Sequence, residues 1–156
     1  MSSIKILVMR HAEKSDDPLD PDLSAAGRER AKNLAHYIPA KFGKPDFLFA
    51  TAASKHSRRP IQTLKPLSRR CDLRIDQSFA DQDYGALAYV LRKKPKYRGR
   101  LIVVCWHHGN IPSLAHALDA RARDYPDPWH RNVFNLILQF HVAGKVPRIK
   151  RVVEPF

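Results

Sequence analysis

The chain has 156 residues, 44% of them hydrophobic, and residues 1–156 are read as a single domain with a buried core. No apolar run approaches the roughly 20 residues of a membrane-spanning helix, so no membrane partner is expected. A formal charge of +13 favours anionic partners and excludes little else.

The elements read in chain order alternate between strand and helix. Met1–Lys5 lacks the basic, apolar and small-residue sections of a signal peptide and leads into an apparent strand, so a cytoplasmic location is expected. Ile4–Met9 is a short apolar run and predicts a buried strand. A polar loop rich in Asp and Pro follows to Asp22. Ser24 is a helix cap, and Ala31, Leu34, Ala35 and Ile38 repeat on one helical face. Phe47–Ala50 predicts a second strand. Arg59–Leu67 predicts a helix with Pro60 in its first turn. Leu73–Ile75 reads as a short strand and Gly85–Arg92 as a short helix. Leu101–Cys105 is the clearest buried strand. Asn110 is placed to cap a helix whose Ile111, Leu114, Ala115 and Leu118 share a face. Ala120–His130 is loop-like. Val133–Val142 and Ile149–Val153, separated by Gly144, predict a closing hairpin. The two cysteines, Cys71 and Cys105, fit no zinc spacing and read as structural thiols.

This alternation predicts an α/β fold: a three-layer αβα sandwich with a mostly parallel central sheet. Such sheets bind ligands beyond the carboxyl ends of their strands. Two apolar runs stop there at histidine, one at Arg10-His11 and the other at His107-His108. The loop after Phe47–Ala50 opens on the same rim and carries Arg58 and Arg59. Neutral imidazole is a nucleophile near pH 7, and arginine forks bind phosphate oxygens. The chemistry this rim supports is therefore phosphoryl transfer, with the helix that begins near Asn110 adding backbone N–H groups.

Five segments, in order, resemble motifs of the histidine phosphatase superfamily, also called phosphoglycerate-mutase-like. They are Arg10-His11-Ala12, Leu23–Ala31 with Ser24 and Gly27, Arg59–Thr63, Phe79–Gly85, and His108-Gly109-Asn110. The resemblance implies that fold and a phosphatase, with hydrolysis preferred over mutase action because Asp76–Arg100 leaves little room for a lid. It implies His11 as the nucleophile, Arg10 and Arg59 as holders of the phosphoryl oxygens, and His108 as the supporting histidine. Asp81 takes the place of the usual glutamate acid, with Glu13 as a competing acid. The family needs no metal or organic cofactor, and its substrates are phosphorylated small molecules or phosphoproteins.

Other residues are weighed beside these. His107 is a rim group, because the register of Gly109-Asn110 selects its neighbour. Arg58 is within reach of substrate but is also an ordinary solvated charge. Lys14 is read as a substrate contact or, equally, a solvated lysine, and Asn110 is expected to contact substrate. The remaining histidines show no paired metal spacing, so no metal site is expected. No zinc finger or RNA-binding aromatic signature accompanies the charge, so no specific nucleic-acid partner is expected.

Overall fold

The computed structural model describes residues 3–156; Met1 and Ser2, which open the stretch read as lacking a signal peptide, lie outside the described residues. Strands β1 (Ile4–Arg10), β2 (Phe47–Ala50), β3 (Ile75–Asp76), β4 (Leu101–Trp106), β5 (Leu136–Val142) and β6 (Arg148–Val153) form one sheet in the order β3-β2-β4-β1-β5-β6. The β1–β4, β2–β4 and β2–β3 pairs are parallel, and β5 and β6 close the sheet as an antiparallel hairpin. The central strands β1 and β4 are apolar nearly throughout because helices cover both of their faces.

Period-two alternation divides their side chains. Leu7, Met9, Val103 and Cys105 pack under helices α1 (Ala25–Phe42) and α2 (Arg59–Cys71). Ile6, Val8, Val104 and Trp106 pack under α3 (Tyr84–Lys93) and α4 (Ile111–Ala117). The chain thus leaves β1 towards one face and leaves β4 towards the other. Adjacent parallel strands whose exits diverge open a crevice at their carboxyl ends, and both histidine runs finish in it.

Several boundaries differ from the sequence reading for identifiable reasons. Helix α2 continues to Cys71, because Leu64, Leu67 and Cys71 stay on the buried face although polar residues intervene; Asp72, at φ 54°, ends it. The strand expected from Val133 starts at Leu136. The preceding residues form a turn, with Val133 N–H donating to the His130 carbonyl. Asn110 makes no capping hydrogen bond to α4.

Ser24 does cap α1, accepting from Gly27 N–H at 3.1 Å. Its own N–H and hydroxyl donate to the Glu13 carbonyl, so the cap also holds the loop after β1. Gly27 meets that loop too closely for a side chain: a Cβ there would lie 2.2 Å from the Glu13 carbonyl oxygen. Gly27→Ala is therefore expected to destabilise the fold by about 1–3 kcal/mol, because the atom that must move is backbone. A urea midpoint equal to or above that of the parent, as helix propensity alone would give, would contradict this.

Candidate active site

The extended backbone of β1 carries past Arg10. His11 N–H donates to the Trp106 carbonyl at 3.1 Å, which continues the parallel ladder one residue beyond both strands. The residue beside His11 in that register is His107, whose backbone is still extended at φ −86° and ψ 139°. The two rings meet edge to face with centroids 5.4 Å apart. His108 begins a 3-10 turn, His108–Asn110, and leaves the ladder. Of the two adjacent histidines, His107 is the ring set edge to face against His11.

His11 is almost fully buried. Its Nδ1 lies 2.7 Å from the Ala12 carbonyl oxygen. A carbonyl only accepts, so Nδ1 carries the proton and Nε2 keeps its lone pair. Burial, aided by the nearby Arg10, His107 and Arg59, pushes the His11 pKa down to about 3 against the hydrogen bond to Ala12. The loop holding the ring is fixed from α2, where the Thr63 hydroxyl accepts from Ala12 N–H at 2.9 Å and donates to the Arg59 carbonyl. Sequence reading took Thr63 as part of a motif and gave it no task; a hydroxyl on the buried face of a helix was the available signal.

Arg10 is also buried. Its guanidinium lies 3.9 Å from the centre of the Phe134 ring and donates to the Arg131 and Val133 carbonyls. Its Nε is buried without a partner. Arg59, at the start of α2, donates to the carbonyls of Asp20 and Asp22. Burial and the charge of Arg59 pull the Arg10 pKa down to about 10, and burial also lowers Arg59.

Asp81 opens a 3-10 turn before α3. The Trp106 indole N–H donates to its carbonyl at 3.0 Å, and Asn110 Nδ2 donates to its Oδ2 at 2.9 Å. Its Oδ1 is buried without a partner. Burial lowers the His107 pKa, and the Asp81 charge opposes it. Asn110 thus spends its amide on Asp81, not on the helix and not on free space.

Two candidates leave the site. Glu13 turns to Arg30 of α1, with both carboxylate oxygens bonded at 2.9–3.1 Å, and Arg30 also bonds Glu154 at 2.9 Å. Glu13 is therefore a structural partner of the loop and not a free acid. Arg58 forms a two-pronged ion pair with Asp22 at the surface. Lys14 remains at the rim, on a hollow that Arg10 and His108 also line.

His108 is pushed down to about 4, chiefly by burial and then by Arg10 and Lys14, and His107 is lowered as well. Below the ordinary value of 6.5 the unfolded chain binds protons that the folded site refuses. Stability present above pH 6.5 is therefore lost as pH falls towards 4 and then 3. The thermal midpoint is expected to drop over that window, and less steeply in His11→Ala; parallel curves for the two proteins would contradict the burial of a neutral His11.

No family model matches this sequence, and no curated protein sequence matches it. Solved structures match over nearly the whole chain. The protein histidine phosphatase SixA complexed with tungstate has a TM-score of 0.67 at 12% identity, over 96% of this chain and 97% of that one. A mycobacterial glucosyl-3-phosphoglycerate phosphatase complexed with VO3 has a TM-score of 0.64 at 17% identity, over 97% and 98%. A protein described as mycobacterial hydrolase 2 has a TM-score of 0.66 at 17% identity, over 99% and 91%. The chain therefore has the phosphoglycerate-mutase-like α/β fold that the sequence reading expected.

Proposed function

We propose that this chain is a metal-independent phosphatase that hydrolyses a phosphomonoester or phosphohistidine through a phosphohistidine formed on His11. The observation that carries the reading is an unneutralised cationic pocket around a nucleophile. Burial lowers the pKa of His11 and of Arg10, Arg10 and Arg59 lower His11 further, Arg59 lowers Arg10 further, and the buried Arg10 Nε has no partner. A phosphoryl dianion relieves each of these at once.

The lone pair on His11 Nε2 attacks phosphorus. The N–P bond forms as the bond to the leaving group breaks. Asp81 donates a proton to the departing atom. Its Oδ1 is the oxygen free to carry that proton, since Oδ2 accepts from Asn110. Water then attacks phosphorus, Asp81 takes a proton from it, and the N–P bond breaks to release phosphate and neutral His11. Arg10, Arg59 and His107 stabilise the charge on the transferring oxygens. His107 takes the supporting place that the motif register gave to His108.

The test is hydrolysis by EDTA-treated protein of a panel of phosphate esters and a phosphohistidine protein. EDTA-resistant release of phosphate is expected. Strict dependence on an added divalent cation, or vanadate binding with no turnover of any substrate, would overturn the reading.

A further inference from the structure

One buried titratable group takes no part in the proposed chemistry. Glu154, just after β6, has a side chain only 1% exposed and accepts from Arg30 Nη1 at 2.9 Å. Arg30 turns its Nε and Nη2 to Glu13, two residues beyond His11, and its Nη1 also donates to the Phe156 carbonyl at 2.6 Å. The Phe156 ring lies over the guanidinium at 5.5 Å and meets Tyr37 edge to face. One guanidinium thus serves two carboxyl groups away from bulk water. With both ionised, the cluster carries a surplus negative charge.

The other titratable groups that face Glu154 among the described residues supply no second cation: they are Tyr37 of α1, Cys105 of β4 and Glu13 itself. Burial pushes the Glu154 carboxyl up to about 7, against the hydrogen bond and charge of Arg30 and with a further rise from Glu13. A neutral carboxyl still accepts from Arg30, so the arrangement survives with one proton in it. The folded chain keeps that proton at a pH where an ordinary glutamate, at 4.5, gives it up. The stability this contributes is therefore full below 4.5 and is lost as pH rises through about 7. Relief of the surplus charge falls to the more accessible carboxylate. The Glu13 side chain is 26% exposed against 1% for Glu154, so Glu13 is the one that regains water, and it belongs to the loop of the nucleophile.

We infer that Arg30 and Glu154 are positioning residues for His11: their cluster with Glu13 holds the loop after β1 while one proton is shared in it, and loosens that loop when both carboxyls are ionised. This rests on the proposed role of His11 as nucleophile and adds a control of turnover by pH, exerted from α1 and from the end of the β5–β6 hairpin. The loop keeps its backbone ties, Ala12 N–H to Thr63 and Ser24 N–H to the Glu13 carbonyl, so the change misplaces the imidazole without unfolding the site. Displacements of an ångström or less are enough to slow an in-line attack.

Two readouts over pH test this, on the parent and on Glu154→Gln, which keeps an acceptor for Arg30 and cannot ionise. Between about pH 6 and about pH 9 the parent's kcat for p-nitrophenyl phosphate is expected to fall at least about threefold more than that of Glu154→Gln. Ionisation of the substrate is common to both proteins and cancels in the comparison. Hydrogen-exchange protection of Ser24 N–H, corrected for the intrinsic rate, should fall over the same range in the parent and stay constant in Glu154→Gln. The parent's exchange carries the test alone where the variant folds poorly. Parallel kcat profiles in the two proteins, or a parent whose Ser24 protection does not change with pH, would overturn the positioning role and leave the phosphatase reading intact. Protection that follows pH in a protein that hydrolyses no phosphate ester would support the cluster and overturn the catalytic reading alone.

Discussion

Replacing His11 with alanine is expected to lower kcat by at least roughly 10⁴-fold, because removing a nucleophile leaves only binding and charge stabilisation behind. Among the described residues, the nearby hydroxyls and thiol are not placed to substitute. The Ser57 hydroxyl accepts from Arg59, and the Thr63 hydroxyl bridges Ala12 N–H and the Arg59 carbonyl. Cys105 is fully buried, with burial raising its thiol far above the range in which thiolate forms. The measurement is steady-state hydrolysis in EDTA with the folded state checked by circular dichroism. Since a cavity at a buried site is itself destabilising, His11→Asn serves as the smaller perturbation and should be equally inactive. Turnover within about tenfold of the parent in either variant would mean that His11 is not the nucleophile.

The second large effect separates the adjacent histidines. His107→Ala is expected to lower kcat by about 10²–10³-fold, the size found when one donor to a developing charge is removed. The ring lies beside His11 and within the field of Asp81, so its loss falls on the chemical step. His108→Ala, at the rim beside Lys14, should lower kcat less than His107→Ala does. The pair is read from kcat and KM on one substrate. The opposite order, with His108 controlling kcat, would restore the register given by Gly109-Asn110 and contradict the ladder.

That conflict shows where sequence stops being legible. The two histidine runs and their strands were visible because β1 and β4 are apolar nearly throughout, so their lengths and ends stand out. The mostly parallel sheet followed from strand–helix alternation. Which of two neighbouring histidines faces inward depends on one backbone torsion after Trp106, and the ladder hydrogen bond from His11 N–H decides it. A motif anchored on Gly109-Asn110 carries no information about that torsion. Glu13 was open as an acid because its partner is remote: Arg30 lies 17 residues on, and Arg30 is held in turn by Glu154, just after β6. Asn110 has the composition of a cap, yet it bonds Asp81 across 29 residues. The start of that segment was read as strand because Val133–Val142 alternates, if imperfectly, while the Val133 carbonyl accepts from Arg10 and Trp129.

The central claim is the covalent intermediate. Rapid quenching of the protein with a labelled phosphate ester, followed by peptide mapping at alkaline pH, tests it directly. The account predicts one phosphoryl group on the peptide containing His11, stable to base and released by acid, and absent from His11→Asn. Turnover with no label retained on the protein at any quench time, or label on a different residue, would contradict it.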